Sequence, residues 1–194
     1  MEQSNGMIIV ISGYSGVGKS TVIKHMFAKM PKLKFSISCT SRKPRNGEVD
    51  GVNYYFIDEQ EFEKRIADGE FVEYTRTFTN YYGTPKTEIK NALEQGYDLL
   101  LDINSVGAKH IKEYYPKCLT IFINPPSLEV LKQRLIGRGS ESEESLKRRL
   151  DEIDFESKAI PFYDFVITNE IASKCADDIV EFIECERAKS QAEN

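Results

Sequence analysis

A glycine-rich segment near the start of the chain has the residue types and the spacing that bind phosphates. Every fixed position of the pattern GxxxxGK[ST] is met by Gly13-Tyr14-Ser15-Gly16-Val17-Gly18-Lys19-Ser20. In such a loop the backbone N–H groups converge on phosphate oxygens, the lysine reaches the β- and γ-phosphates, and the serine hydroxyl can bind magnesium. The alternative is an ordinary glycine turn, which requires neither a strand before it nor a helix after it. We therefore predict a site for ATP with Mg²⁺ that extends through Thr21.

A phosphate-binding loop identifies the site of the phosphoryl donor and leaves the reaction open, because GTPases, motors and kinases share it. A GTPase would have an NKxD segment that recognises the base, and Asn169-Glu170 does not supply one. Basic and hydroxyl-bearing residues are concentrated instead between positions 38 and 84. They are Ser38, Arg42, Arg45, Tyr54, Tyr82 and Thr84, with Glu73 among them. This composition predicts a second site, for another phosphorylated ligand.

The order of strands and helices that must position these residues is typical of an α/β fold with a parallel sheet. The β-branched run Met7–Ser12 predicts a strand buried on both faces, and a helix from Lys19 to about Met30 follows the glycine loop. Further strands are predicted over residues 97–103, 119–123 and 165–168. Further helices are predicted over 105–115 and from the N-cap Ser127 to Gly137. A charged helix follows and ends at about 159, and a final helix runs from the strand over 165–168 to about 189.

Two insertions interrupt the parallel pattern. In and beside the first we predict strands over 35–40 and 53–57, a strand or hairpin over 71–78, a helix from Asp58 to Gly69, and a helix with Thr84 as its N-cap and Pro85 at its first position. We expect this block to form an antiparallel or mixed sheet. The second insertion is highly charged and predicts a solvated helical flap. We therefore predict one domain over 1–194, with a core of about 1–37, 91–129 and 158–194 and insertions at about 38–90 and 130–157.

Composition excludes several classes of protein. The 194 residues include 26 basic and 31 acidic side chains, and this net charge of −5 argues against a nucleic-acid partner. The longest apolar run, Met7–Ile11, is far shorter than the ~20 residues that span a membrane. The four cysteines form no CxxC pair, so we expect incidental thiols in a reducing compartment. These observations predict a soluble, cytoplasmic protein with no membrane partner.

Several ordered segments together resemble the guanylate kinase family. They are GYSGVGKST, SCTSRKPRNGEVDGVNYYF, FVEY followed by NYYGT, LLLDIN, RLIGRGSESEESLKRRL and FVITNE. The resemblance covers nearly the whole chain and implies a P-loop NTPase-type core, a GMP-binding insertion and a helical lid. It also implies transfer of the γ-phosphoryl group of ATP to GMP and dGMP, giving ADP and GDP, in purine nucleotide recycling. We expect a monomer or a homodimer.

The resemblance implies roles for individual residues of the acceptor site. Arg42, Arg45, Tyr54 and Tyr82 correspond to ligands of the GMP phosphate, and two guanidinium groups with two phenols suit a dianion. Ser38, Glu73 and Thr84 correspond to the residues that recognise guanine. Guanine presents N1–H and N2–H₂ side by side, so one carboxylate can accept from both, whereas the unprotonated N1 of adenine would repel it.

For phosphoryl transfer the resemblance implies Lys19 and a set of arginines, because the charge of the moving group spreads over its oxygens. Arg138 and Arg149 match lid positions, Arg45 extends from the GMP side, and Arg134 is an additional candidate near ATP. Arg138 and Asn169 are candidates for contact with adenine. Asp102, at the end of a buried strand, is a candidate for ordering the water molecules of magnesium or for contacting GMP.

The chain departs from the family pattern at two positions. Asn104 stands where the family commonly has a second Asp, so its predicted contact with GMP would involve an amide that also donates hydrogen bonds. Tyr14 is a bulky residue for the loop, which accommodates it if the ring points away from the phosphates. Two alternatives remain: a non-catalytic guanylate-kinase-like module that binds phosphopeptides, and a kinase for another nucleotide such as AMP or dTMP. The first would not need Lys19, and Glu73 argues against the second.

Overall fold

The computed structural model describes residues 6–77, 79–136 and 153–192. By its internal contacts the chain divides into two compact units. One contains the chain through Ile9 together with Lys32–Cys118, and the other contains Val10–Pro31 together with the chain from Leu119. Among the described helices, none is long and apolar enough to span a membrane.

The described part of the chain contains nine strands and seven α-helices. The strands are β1 Ile8–Gly13, β2 Leu33–Phe35, β3 Cys39–Thr40, β4 Tyr55–Phe56, β5 Phe71–Thr77, β6 Asn80–Pro85, β7 Asp98–Asp102, β8 Leu119–Asn124 and β9 Phe165–Thr168. The helices are α1 Lys19–Phe27, α2 Glu59–Ala67, α3 Lys86–Glu94, α4 Ser105–Tyr114, α5 Leu128–Ile136, α6 over residues 153–159, and α7 Ala172–Ala192, with a 3-10 turn at Ile160–Phe162 before β9.

A five-stranded parallel sheet has the strand order β2-β7-β1-β8-β9. The first five residues of β1 and of β8 are buried, as are the first four residues of β7. Burial of successive residues places side chains of both faces in the core, which is typical of parallel strands covered by helices. The predicted parallel sheet is therefore confirmed.

A second, mixed sheet has the order β4-β3-β6-β5. β3 pairs with β4 in parallel, whereas β6 pairs antiparallel with both β3 and β5. Its own small core contains Cys39, Phe62 and Phe71, and the rings of the two phenylalanines stack with centroids 4.6 Å apart. The mixed sheet predicted in the first insertion is confirmed.

Two local predictions within this insertion are wrong. The strand predicted over 35–40 is two short strands of different sheets, because Phe35 pairs with Leu100 of β7 while Cys39 pairs with Tyr55 and Gly83. Thr84 is not a helix cap. It pairs within the β5–β6 ladder, so β6 continues through Pro85, which itself takes the N-cap position of α3.

Side-chain caps begin at least three of the described helices. Ser127 Oγ accepts from Val130 N at 3.2 Å at the start of α5, as predicted. Asp58 Oδ1 accepts a hydrogen bond from Glu61 N at 2.8 Å at the start of α2, as the capping pattern predicts. Asn104 Oδ1 accepts from Gly107 N at 2.9 Å at the start of α4. Asn104 therefore has a structural role that does not depend on any ligand.

Substitution of Asn104 should separate loss of this cap from a change of charge. We expect Asn104→Ala to lower the free energy of unfolding by about 1 kcal/mol, because the N–H of Gly107 loses its acceptor. Asn104→Asp should stay within a few tenths of a kcal/mol of the parent, because a carboxylate accepts the same hydrogen bond at the positive end of the helix. Urea unfolding at neutral pH measures both values, and equal values for Asn104→Ala and the parent would contradict the cap.

Candidate nucleotide sites

The glycine-rich loop lies directly between β1 and α1, as predicted. Gly18 takes the N-cap position of α1 with a left-handed backbone (φ 100°), which favours glycine. Lys19 Nζ donates to the carbonyl oxygen of Gly13 at 2.9 Å, so the lysine side chain folds back along the loop. The side chains of Ser15, Ser20 and Thr21 are exposed. The loop thus combines exposed hydroxyl groups, a lysine and a helix N-terminus, which is the chemistry of a triphosphate site.

The side chain of Asn169 hydrogen-bonds the backbone of this loop. Its Nδ2 donates to the carbonyl oxygen of Val17 at 2.9 Å, and a Cβ on Gly18 would lie 2.7 Å from the same nitrogen. At Gly13 a Cβ would lie 2.5 Å from the carbonyl oxygen of Ile123. Close approach of the backbone therefore favours glycine at position 13, and the left-handed backbone (φ 100°) favours it at position 18. Asn169 is buried against the loop backbone, so a contact of its amide with adenine remains a prediction from the resemblance.

The side chain of Tyr14 belongs to the core. Its ring packs edge-on against Phe122 with centroids 5.2 Å apart, and its hydroxyl hydrogen-bonds Ser157 Oγ at 2.8 Å. Ser157 lies in α6, so the hydrogen bond joins the loop to that helix. Burial explains how the loop accommodates a bulky residue at this position.

In the other unit, the guanidinium group of Arg42 is held by an internal carboxylate. Its Nη1 and Nη2 donate to the two oxygens of Glu48 at 2.6 and 2.7 Å. Glu48 also accepts from the backbone N–H of Arg45 at 2.8 Å. Hydrogen bonding to Arg42 lowers the pKa of Glu48 to about 2, so the carboxylate is ionised throughout the neutral range. The hydrogen bond to Glu48 likewise raises the pKa of Arg42.

The two tyrosines predicted as phosphate ligands lie around Arg42. The Arg42 guanidinium carbon is 4.9 Å from the ring centroid of Tyr54, and the rings of Tyr54 and Tyr82 are 6.1 Å apart. Burial, and next the charge of Asp102, raise the pKa of Tyr54, so its phenol can donate a hydrogen bond at neutral pH. The structure therefore brings Arg42, Tyr54 and Tyr82 together, whereas the side chain of Arg45 is exposed.

Glu73 and Thr84 form a buried polar pair. They face each other across β5 and β6, and Thr84 Oγ1 donates to Glu73 Oε1 at 2.6 Å. Desolvation raises the pKa of Glu73 from 4.5 to about 7, against the opposing effect of the hydrogen bonds from Thr84. A buried carboxylate with few internal donors is suited to accept hydrogen bonds from a ligand.

The remaining predicted residues are less constrained. Ser38 is half-buried immediately before β3, and Asp102 is exposed at the carboxyl end of β7. For Arg134 only its place in α5 is described, and the predicted lid residues Arg138 and Arg149 lie outside the described residues. Their roles remain predictions from the resemblance.

Sequence reasoning missed Glu48. The signal was the spacing of Arg42, Arg45 and Glu48 in one loop, three residues apart, which a turn between residues 45 and 48 brings together. A charged residue in a loop is ordinarily solvated, and for that reason Glu48 was not distinguished from its neighbours.

Comparison with known proteins agrees with the geometry of these sites. The family model for guanylate kinase matches residues 5–186. A guanylate kinase of Clostridioides difficile is 47% identical over 184 residues, covering 95% of this chain and 90% of that protein. One from Symbiobacterium thermophilum is 44% identical over 185 residues, covering 95% of this chain and 88% of that protein.

A solved structure extends the agreement to the fold. The crystal structure of a guanylate kinase from Anaplasma phagocytophilum superposes with a TM-score of 0.76 at 32% sequence identity. The match covers 96% of this chain and 89% of that chain. Sequence and fold agree over the same extent, and the chain therefore belongs to the guanylate kinase family.

Proposed function

We propose that the chain transfers the γ-phosphoryl group of ATP to GMP, giving ADP and GDP, with dGMP as a second acceptor. Membership of the guanylate kinase family supports both the donor and the acceptor. Within the structure, the observation that best supports this choice of acceptor is the buried carboxylate of Glu73, which accepts a hydrogen bond from Thr84 and whose pKa is raised mainly by desolvation. An ionised carboxylate matches the adjacent N1–H and N2–H₂ donors of guanine, and it repels the N1 lone pair of adenine.

The residues around Arg42 supply the other half of acceptor recognition. A nucleotide phosphate is a dianion near neutral pH, and charge-assisted hydrogen bonds from guanidinium groups are its strongest neutral-pH partners. Arg42 is already oriented by Glu48, and Tyr54 and Tyr82 lie beside it. We propose that these three residues bind the phosphate of GMP and that Arg45 turns its exposed side chain toward it.

On the donor side, the loop residues bind and orient ATP. The backbone N–H groups from Gly16 to Ser20 would bind phosphate oxygens, and Lys19 would leave the Gly13 carbonyl for the β- and γ-phosphates. Charge that develops on the transferred group then needs cations around it. The resemblance assigns this role to Lys19, Arg45, Arg138 and Arg149, with Arg134 near the nucleotide.

Magnesium fits the oxygen donors that these sites offer. Ser20 presents an exposed hydroxyl in the first turn of α1, and Asp102 presents an exposed carboxylate at the end of β7. Within residues 6–77, 79–136 and 153–192 no three His, Cys, Asp or Glu side chains form a metal-binding group. Mg²⁺ prefers one or two protein oxygens together with phosphates and water, so we propose that it arrives with ATP. When bound, it would neutralise phosphate charge.

We further propose that the enzyme is cytoplasmic and acts on free nucleotides as a monomer or a homodimer. A coupled assay with GMP, dGMP, AMP, CMP and dTMP as acceptors tests the proposed function. We expect turnover with GMP and dGMP and little with the other three. Equal use of AMP would contradict the role of Glu73, and no transfer to any acceptor would favour the phosphopeptide-binding alternative.

Replacement of Lys19 tests the donor site. We expect Lys19→Ala to lower kcat by about a thousandfold, because a positive charge on the transferred phosphate is lost, while the fold persists. Lys24→Ala, at an exposed position of the same helix, is the matched control and should retain parental turnover. Steady-state kinetics and thermal unfolding check both variants, and near-normal turnover of Lys19→Ala would contradict the assignment of the loop.

Replacement of Glu48 tests whether the internal ion pair orients Arg42. We expect Glu48→Gln to raise the KM for GMP about tenfold, because a hydrogen bond to a charged group contributes about 1.5–3 kcal/mol. Neither kcat nor the KM for ATP should change by more than about twofold. Glu48→Asp retains the charge, and its KM for GMP should lie between those of the parent and of Glu48→Gln. A lower KM for GMP in Glu48→Gln would mean that Glu48 competes with the phosphate instead of orienting its ligand.

The raised pKa of Glu73 predicts the pH dependence of GMP use. Below about pH 7 the carboxyl is protonated and directs a donor at the donors of guanine. Between pH 8 and pH 6 we expect kcat/KM for GMP to fall about tenfold through this group, in addition to the titration of the GMP phosphate near pH 6. Glu73→Gln should have a higher KM for GMP and should show only the phosphate titration. An unchanged pH profile in Glu73→Gln would assign the titration to another group.

A further inference from the structure

Gly107, in the first turns of α4, lies against the carboxylate of Glu73. A Cβ on Gly107 would be 2.8 Å from Glu73 Oε2 and 3.2 Å from Glu73 Cδ. Both separations are shorter than the ~3.5 Å at which nonbonded heavy atoms attract each other most strongly, so the atoms would repel each other. A side chain at position 107 and the carboxylate of Glu73 therefore compete for one space.

Hydrogen bonds hold both partners in place. Glu73 is buried, and Thr84 Oγ1 holds its other oxygen at 2.6 Å. The backbone N–H of Gly107 is held by Asn104 Oδ1 at 2.9 Å, and a Cβ would also approach Ile103 Cδ1 to 3.3 Å. An added methyl group would have to displace the carboxylate from its hydrogen bond with Thr84.

The helix itself gives no reason for a glycine at this position. Gly107 has no positive φ, so any residue could adopt its backbone conformation. In a helix interior glycine is about 1 kcal/mol less favourable than alanine. The carboxylate of Glu73 makes the closest approach to this position and is the main feature that favours a residue without a side chain.

We propose that Gly107 is a positioning residue for base recognition, because its missing side chain leaves the space in which the Glu73 carboxylate faces the two adjacent donors of guanine. This inference rests on the proposed function. It extends the acceptor site to α4 and gives the Asn104 cap a second consequence, since the cap holds the Gly107 backbone in place. A displaced carboxylate would lose its match to N1–H and N2–H₂ together.

Comparison of GMP with IMP measures this match directly, because hypoxanthine retains N1–H and lacks the 2-amino group. We expect Gly107→Ala to raise the KM for GMP and to lower the GMP:IMP ratio of kcat/KM by about tenfold, the effect of one lost polar contact. The KM for ATP should stay within about twofold of the parent value. A general loss of structure would lower use of both acceptors equally and leave the ratio unchanged, which would overturn the inference. The assay is done at pH 8, where the carboxylate is ionised.

Two control variants separate this inference from the proposed function. Lys109→Ala, at an exposed position of α4, should leave the ratio unchanged. Glu73→Gln should lower the ratio. If it does not, Glu73 does not recognise the 2-amino group and the proposed function loses its basis for selecting guanine. If Glu73→Gln lowers the ratio and Gly107→Ala does not, only the positioning role is wrong.

A double substitution keeps the test valid if Gly107→Ala does not fold. Glu73→Asp shortens the side chain by one methylene and withdraws the carboxylate from position 107. In the Glu73→Asp background Gly107→Ala should therefore fold, and it should change the GMP:IMP ratio by less than about twofold. A double variant that fails to fold, or a Gly107→Ala effect equally large in both backgrounds, would overturn the inference.

Discussion

Burial of the Glu73 carboxylate is the constraint around which the acceptor site is built. Desolvation opposes ionisation and raises its pKa from 4.5 to about 7. Because the folded state binds this proton more tightly, the contribution of Glu73 to stability is fully present below about pH 4.5 and is lost as pH rises through about 7. At pH 8 the ionised group costs about 3 kcal/mol of folding free energy. Such a cost is characteristic of a group kept for function.

The surrounding elements are arranged to hold that charge. The register of β5 on β6 shifts between Phe71 and Glu73, and Glu73 then faces Thr84 across the ladder. An irregularity of this kind redirects a side chain, and here it accompanies the pairing of the carboxylate with a hydroxyl donor. On the α4 side, Gly107 leaves space for the second oxygen, and Asn104 caps the start of the helix.

Two cations of the predicted sites are also held by hydrogen bonds within the protein. Arg42 is paired with Glu48, and Lys19 donates to the Gly13 carbonyl oxygen. Groups held in this way lose less conformational entropy when a ligand binds.

The sequence predicted best the features that depend on neighbouring residues. The strand, glycine loop and helix at the start of the chain, and β9 at Phe165–Thr168, follow from local pattern. Thr84 was misassigned because Thr-Pro before a helical pattern is a valid capping signal, and only its partner across the sheet, 11 residues away, shows the hydroxyl in another use. Gly107 and Glu73 are 34 positions apart, so no local pattern could reveal that a Cβ at position 107 would clash with the carboxylate of Glu73. For Asn104 the sequence was ambiguous, because an Asn between a strand and a helix can either contact a ligand or cap the helix.

The most direct test of this account is the titration of the Glu73 side chain itself. Carbon-13 NMR of a protein labelled at glutamate Cδ, with the signal assigned through Glu73→Gln, reports its protonation with and without GMP. We predict a midpoint near pH 7 in the free protein and a midpoint at least one pH unit lower with saturating GMP, because guanine donors stabilise the carboxylate. A free-protein midpoint near the ordinary value of 4.5, or a midpoint that GMP leaves unchanged, would contradict it.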